Sequence, residues 1–336
     1  MAEPQRLPLL EIRNLSLEFA TPLGPVYALN LGGLDLYPGE VLGLVGESGS
    51  GKSLTASTVL GLLPSRRARV TSGQVLFDGR DLLRATPAEL QHIRGRDISM
   101  IFQDPMAALN PVFPVGEPLL RILRLHRGLR PAEARHEALR ILDEVQIPDP
   151  AAILRRYPHE LSGGQRQRIM IAMAIAGGPR LLVADEPTTA LDVTVQEQVI
   201  RLLQALQRAH GTAVLFITHN MGVVARLADR VAVMYGGDVV EVAPVAELFS
   251  APRHPYSRLL LDAIPRVSAR RERLPAIGGE VPDLRRRPVG CAFAPRCPLV
   301  TARCLSERPS LSAAGARQVA CFHPLAAGDS RTEALA

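Results

Sequence analysis

Gly46-Glu47-Ser48-Gly49-Ser50-Gly51-Lys52-Ser53 lies between the apolar run Val41–Val45 and a helix-forming run that opens at Ser53. The stretch fits the pattern G-x-x-x-x-G-K-[ST], and a strand before it and a helix after it are the context that pattern needs. Gly46, Gly49 and Gly51, with Ser48 and Ser50 between them, let successive backbone N–H groups face one concavity that takes phosphate oxygens. The positive end of the following helix adds to that field. In this setting Lys52 is expected to reach the β- and γ-phosphates and Ser53 to hold Mg²⁺. The chain carries 39 Lys and Arg residues, and Lys52 is its only lysine. A compact ammonium on a flexible stem is retained at one place, where the planar fork of arginine would not serve.

Outward from this loop, strands and helices alternate. Leu9–Phe19, Gln74–Phe77, Ile98–Phe102, Leu181–Ala184, Ala213–Thr218 and Val231–Tyr235 read as strands. Ser53–Leu63 (stopped by Pro64), Pro118–Ile147 (interrupted near Pro131), Gln165–Ala176, Val193–His210 and Met221–Leu227 read as helices. Such alternation predicts an α/β core with a mainly parallel sheet. Pro87–Pro158 is mostly helical and reads as an insertion. Composition shifts after about Ser250, where Arg270, Arg271, Arg273 and Arg285–Arg287 cluster, and a boundary is expected near 250–265.

The 336 residues are 47% hydrophobic and 21% charged, as in a globular protein with a substantial core. The longest clean apolar run, Ile169–Ala176, is far below the roughly 20 residues of a membrane span. Met1–Leu10 lacks a secretory pattern, so a cytosolic location is expected. A net charge of +6 suits an anionic membrane face, a nucleotide, nucleic acid or plain solubility. With no Trp and only 4% aromatic residues, a base-stacking platform for single strands is poorly supported.

Leu181-Leu182-Val183-Ala184 delivers two acids, Asp185 and Glu186, to the C-terminal end of a buried strand, where open parallel sheets bind ligands. Asp185 suits Mg²⁺ through water, and Glu186 suits the attacking water as general base or orienter.

Leu161-Ser162-Gly163-Gly164-Gln165 matches the signature of ABC ATPases, and the chain resembles that family over roughly residues 8–250. The resemblance implies an α/β P-loop core with an antiparallel β subdomain and an inserted helical subdomain at about 87–160. It implies ATP and Mg²⁺ as ligands. It also makes Gln103 the Q-loop residue near Mg²⁺ and the reaction centre, Ala190-Leu191-Asp192 the D-loop, and His219 the switch histidine beside Glu186. Ser162, Gly163, Gly164 and Gln165 would meet the ATP of a second subunit in a head-to-tail dimer. Phe19, with Tyr27 the alternative, would stack on adenine. IFQDPMAALNP (Ile101–Pro111), YPHELSGGQRQ (Tyr157–Gln167), ADEPTTALDV (Ala184–Val193), HPYSRLLLDAIP (His254–Pro265) and GEVPDL (Gly279–Leu284) narrow the resemblance to oligopeptide and dipeptide importers, with related nickel importers sharing much of it. It implies two membrane permeases as partners, a second ATPase subunit that is typically a paralogue, an external solute-binding protein acting indirectly, and a place at the cytoplasmic face of the membrane.

Cys291, Cys297, Cys304 and Cys321 all lie in the last 46 residues, with gaps of 5, 6 and 16. In a cytosolic chain, clustered thiols suggest a metal, but the gaps match neither a zinc ribbon nor a ferredoxin. Four cysteines packing a small Pro-rich domain are the alternative. GCAFAPRCP resembles the C-terminal extension of peptide-importer ATPases, and the resemblance implies a [4Fe–4S] cluster on the four cysteines, with zinc as the second choice and His323 as a reserve ligand. Since the nucleotide motifs lie elsewhere in the chain, cysteine loss is expected to leave nucleotide affinity little changed. A soluble ABC ATPase acting on DNA or ribosomes would want a coiled-coil arm or stacking aromatics, and neither is present. A redox sensor regulated by nucleotide would want its cysteines among the nucleotide motifs.

Overall fold

The computed structural model describes residues 7–189, 191–264, 277–286 and 288–326. Arg270, Arg271, Arg273, Arg287 and the expected D-loop's Ala190 lie outside them. The chain folds as two compact units, one of residues 1–36, 41–83 and 218–336, the other of residues 37–40 and 84–217.

The first unit opens with β1 (Leu10–Thr21) and β2 (Gly24–Leu36), then β3 (Val41–Val45), α1 (Lys52–Val59), β4 (Ala68–Phe77) and β5 (Arg80–Asp81). β1 pairs antiparallel with β2 on one side and with β4 on the other, and β5 pairs with β4. Leu10 and Ile12 are buried, and so are Leu15 and Leu17. The two pairs keep one face despite the odd spacing because the β1–β4 register shifts between Arg13 and Ser16. Asn14 takes the left-handed conformation there, and a Cβ on the opposed Gly73 would lie 2.4 Å from the Asn14 carbonyl oxygen.

β3 is buried at all five positions, as a two-sided parallel strand requires. α1 ends at Val59, four residues before the predicted stop. Gly61 takes φ +64, its N–H donates to Thr58 O at 3.0 Å, and Leu62 N donates to Ser57 O at 2.7 Å. This pair of bonds is the Schellman arrangement, so a glycine rather than Pro64 ends the helix.

The second unit carries α2 (Pro87–Ile93), β6 (Ile98–Ile101), α3 (Pro105–Ala108), α4 (Gly116–Arg127), α5 (Pro131–Glu144), α6 (Pro150–Ile153), α7 (Gly163–Ala176), β7 (Leu181–Asp185), α8 (Val193–His210) and β8 (Ala213–Ile217). β6, β7 and β8 pair in parallel, in register from Ile98–Leu181 and Leu181–Ala213 onward. α4 is capped by Gly128 at φ +66, and Pro131 begins α5, which is the predicted interruption. Arg168 of α7 donates to Val145 O at 2.8 Å and to Gln198 of α8 at 3.1 Å, which fixes α7 to its neighbours.

The chain returns to the first unit with α9 (Met221–Leu227), β9 (Arg230–Tyr235), β10 (Asp238–Pro244), α10 (Val245–Ser250), α11 (Pro255–Asp262), α12 (Ala302–Ser306), β11 (Ser312–Ala314) and β12 (Arg317–Val319). β9 runs parallel to β3 and antiparallel to β10. β12 then adds to the free side of β10, pairing Glu241 with Val319, and β11 folds back on β12. The segment after α11 therefore shares a sheet with β3, the strand that leads into the Gly-rich loop. Among the described residues no helix is long and apolar enough to cross a membrane.

Candidate nucleotide site

In the first unit the Gly46–Ser53 loop joins β3 to α1. Gly46, Gly49 and Gly51 take φ of +152, +78 and +100. A Cβ at Gly46 would stand 2.2 Å from Met234 O, and one at Gly51 would stand 2.6 Å from Leu29 Cδ2. Gly49 meets no atom within 4 Å and leaves its side of the loop open. Lys52 is buried, and its ammonium donates to Gly46 O and Glu47 O, each at 2.9 Å. Ser50 is buried within the loop, and Ser53 is exposed in the first turn of α1. Phe19 is half-buried in β1, while Tyr27 on β2 is 39% exposed. His219 is exposed just before α9, after Thr218 N has donated to Leu44 O.

In the second unit Asp185 is the buried last residue of β7. Glu186 follows in the left-handed region at φ +45, with its N–H on Ile217 O at 2.9 Å. A non-glycine residue held there by its surroundings is of the kind found at functional sites. Its carboxylate Oε2 accepts from Thr189 Oγ1 at 2.8 Å and from Gln103 Nε2 at 3.3 Å. The structure thus brings together Gln103 and Glu186, two predicted site residues far apart in the chain. Thr189 escaped the sequence reading, although it stands three residues after the acid.

Ser162 caps α7. Its Oγ accepts from Gln165 N at 3.3 Å, and Gln165 Oε1 accepts from Ser162 N at 3.0 Å, a reciprocal capping box. Gly163 opens the helix with nothing within 4 Å of a Cβ position, so the N-terminus of α7 is uncovered on that side. Asp192 caps α8 through Val195 N at 2.9 Å.

The four cysteines are free thiols that line one cavity in the first unit together with Phe293, Leu299 and His323. Burial pushes the Cys297 and Cys321 thiols up to about 11 and raises Cys291 as well. His323 Nε2 instead lies 3.0 Å from Thr301 Oγ1. Among the described residues no three His, Cys, Asp or Glu side chains stand close enough to hold a metal ion. The expected zinc or iron–sulfur site is thus absent as a ready-made ligand set.

Residues 29–189 match the family described as ABC transporter, and residues 240–304 match the oligopeptide/dipeptide transporter C-terminal region. A putative peptide import ATP-binding protein of Brucella melitensis biotype 1 is 49% identical, with 94% of each chain covered. The oligopeptide transport ATP-binding protein OppD of Salmonella typhimurium is 48% identical, also over 94% of each chain. The chain belongs to the ABC transporter ATP-binding proteins, in the oligopeptide and dipeptide importer branch. Among solved structures, the dimeric ATP-binding cassette MJ0796 bound to ADP and Pi superposes with a TM-score of 0.63 at 29% identity, covering 70% of this chain and 98% of that one. This ABC protein is accordingly an ATP hydrolase whose expected ligands are ATP and Mg²⁺.

Proposed function

We propose that this ABC ATPase powers uptake of oligopeptides or dipeptides through separate membrane permeases, working as a head-to-tail dimer at the cytoplasmic face of the membrane. The observation that carries the hydrolytic part is the strand-end acid Glu186, held in an unusual backbone conformation with one oxygen shared by Thr189 and Gln103. Such a carboxylate is oriented before any water reaches it, and phosphoryl transfer depends mainly on positioning and electrostatics. Lys52 and the loop amides serve the phosphates, and Ser53, Gln103 and Asp185 serve Mg²⁺. His219 steadies the attacking water, and Asp192 supports the partner's site. Ser162, Gly163, Gly164 and Gln165 present the open N-terminus of α7 to a second subunit's ATP. Phe19 is the adenine neighbour. Peptide cargo is favoured over nickel by relatives whose names specify peptide import over 94% of the chain.

The four thiols line a single cavity, and the resemblance of the extension to peptide-importer ATPases assigns them a [4Fe–4S] cluster, with zinc the second choice. A bound [4Fe–4S] cluster would supply a cross-link to a segment with little core of its own. Proteoliposomes holding this protein, its paralogous ATPase and two permeases should take up labelled peptide only with ATP and the external binding protein. Uptake of nickel and not of peptide would replace the cargo, while ATP hydrolysis with no uptake would remove the transport role.

A further inference from the structure

Glu47 is the residue of the Gly-rich loop that no nucleotide role requires, yet every polar group of it is engaged. Its carbonyl receives Lys52 Nζ at 2.9 Å. Its N–H donates to the hydroxyl of Tyr256, a fully buried residue of α11, at 3.0 Å. Its carboxylate receives Arg296 in a two-point grip, Nη1 to Oε2 at 2.7 Å and Nη2 to Oε1 at 3.1 Å. Arg296 is itself over-determined. Its other N–H groups reach Gly278 O at 2.8 Å, Ile277 O at 3.0 Å and Tyr235 OH at 3.2 Å, and only 4% of its side chain is exposed. A fork held at five points cannot follow a moving loop; the loop is held by the fork.

Arg296 closes the short 3₁₀ turn Ala294–Arg296, directly before Cys297. That turn is tied to the cysteine loop by Ala294 N on Cys291 O and Cys297 N on Ala294 O. Phe293, one residue before it, packs edge-on against Tyr235 at 5.0 Å and tilted against Tyr256 at 5.3 Å. Tyr235 and Tyr256 meet at 4.7 Å. The same aromatic cluster therefore supports both hands that grip Glu47.

We propose that Arg296, with Tyr256, is a positioning residue of the nucleotide site: it fixes the Glu47 backbone that orients Lys52, so the cysteine-bearing extension sets ATP affinity. The proposal rests on reading Gly46–Ser53 as the nucleotide loop, which ATP binding by the wild-type chain tests by itself. A loop released from Arg296 must be ordered by the nucleotide, which weakens binding. Once ATP is bound the loop is ordered either way, so the loss belongs to KM and not to kcat.

The test compares wild type, Arg296→Gln, Glu47→Ala and the double variant, measuring affinity for a fluorescent ATP analogue on the purified full chain and KM and kcat in the assembled transporter. Each single variant should raise KM and Kd about 5- to 30-fold with kcat within about twofold, and the double should be no worse than the more severe single. Arg296→Lys, which keeps the charge but loses the fork, should fall between Arg296→Gln and wild type. Unchanged KM in Glu47→Ala, or additive losses in the double, would overturn the proposal. If Arg296→Gln fails to fold, Glu47→Ala still decides, because it leaves the other three hydrogen bonds of Arg296 intact.

Discussion

Gln103 Nε2 lies 3.3 Å from Glu186 Oε2, although the two residues are 83 positions apart in the chain. Gln103 follows β6 and Glu186 follows β7, and these strands pair in parallel with Ile101 opposite Ala184. Register alone therefore brings both residues to the same end of the sheet, where parallel sheets present their ligand sites. Replacing Glu186 by Gln keeps the shape and removes the carboxylate proposed to act on the attacking water. ATP binding should persist, while hydrolysis should fall about 10²- to 10⁴-fold in a single-turnover assay. Thr189→Val, which removes one hydrogen bond to the same oxygen, should cost about fivefold or less. A Glu186→Gln protein with normal turnover would remove Glu186 from this role.

Lys52→Arg preserves charge but not geometry. The ammonium sits in a buried pocket where it donates to Gly46 O, Glu47 O and, at 3.4 Å, Ser50 Oγ, and a planar guanidinium cannot place three converging donors there. ATP affinity and hydrolysis should both collapse, read by equilibrium binding and phosphate release. Gly46→Ala should do the same by another route, since its Cβ would meet Met234 O at 2.2 Å in a conformation at φ +152. That variant should also lower the melting temperature, which Lys52→Arg need not.

The core strands were legible because buried parallel strands are short unbroken apolar runs: Val41–Val45 was bounded to the residue. α8, Val193–His210, was also bounded to the residue, by Asp192 at one end and Gly211 in the left-handed region at the other. β2 was missed because Gly32-Gly33 interrupts its apolar alternation. β10 was missed although Gly236-Gly237, at φ +55 and +86, is a hairpin turn joining Tyr235 to Asp238. The grip of Arg296 on Glu47 could not be read at all. The two residues are 249 positions apart, and although Arg296 stands inside GCAFAPRCP, nothing in that motif points to the Gly-rich loop.

The resemblance of Ile101–Pro111 to the importer family implies that permease helices dock near this segment, which makes Met106 and Leu109 both candidates, but the structure separates them. Leu109 is 3% exposed, whereas Met106 is 45% and Phe113 48% exposed. Leu109→Ala should act on stability, costing about 2–5 kcal/mol in denaturant unfolding. Met106→Ser and Phe113→Ser should leave stability and basal hydrolysis near wild type while lowering peptide transported per ATP. Full transport by both serine variants would place the docking surface elsewhere.

Acid stability should depend on His254. Its ring is fully buried, and Nδ1 accepts the Tyr256 N–H at 3.0 Å, so burial holds the imidazole down at about 3. The unfolded chain binds a proton near pH 6.5 and the folded chain does not. Stability from this residue is thus complete above about 6.5 and is lost as pH falls toward 3, with a slope of about 1.4 kcal/mol per pH unit. Glu241, which burial raises, contributes the opposite slope from about its ordinary value upward. Because Glu241 is common to both proteins, wild type compared with His254→Asn isolates the imidazole. Asn can still cap α11 without titrating. The difference in unfolding free energy between the two should shrink in favour of His254→Asn between pH 6.5 and 5; a pH-independent difference would mean that His254 takes up its proton as readily in the fold as in the unfolded chain.

The cysteines give the last prediction. Burial keeps Cys297 and Cys321 as neutral thiols, titrating at about 11, so only a bound metal can hold them as thiolates near neutral pH. Loading must release protons, and affinity must weaken as pH falls. Protein purified without oxygen should be brown and carry about four iron and four acid-labile sulfide per chain, as a cubane on four thiolates requires. Cys297→Ser should bleach it. The distance in sequence between cysteines and nucleotide motifs predicts unaltered ATP affinity in such a variant, but the Arg296 side chain next to Cys297 grips Glu47. Bleaching should therefore raise the KM for ATP in the same direction as Arg296→Gln, and Cys297→Ser placed on Arg296→Gln should add little. Colourless anaerobic protein with one zinc per chain would replace the cluster by zinc, and four freely alkylated thiols with no metal would leave a cavity packed by cysteines alone.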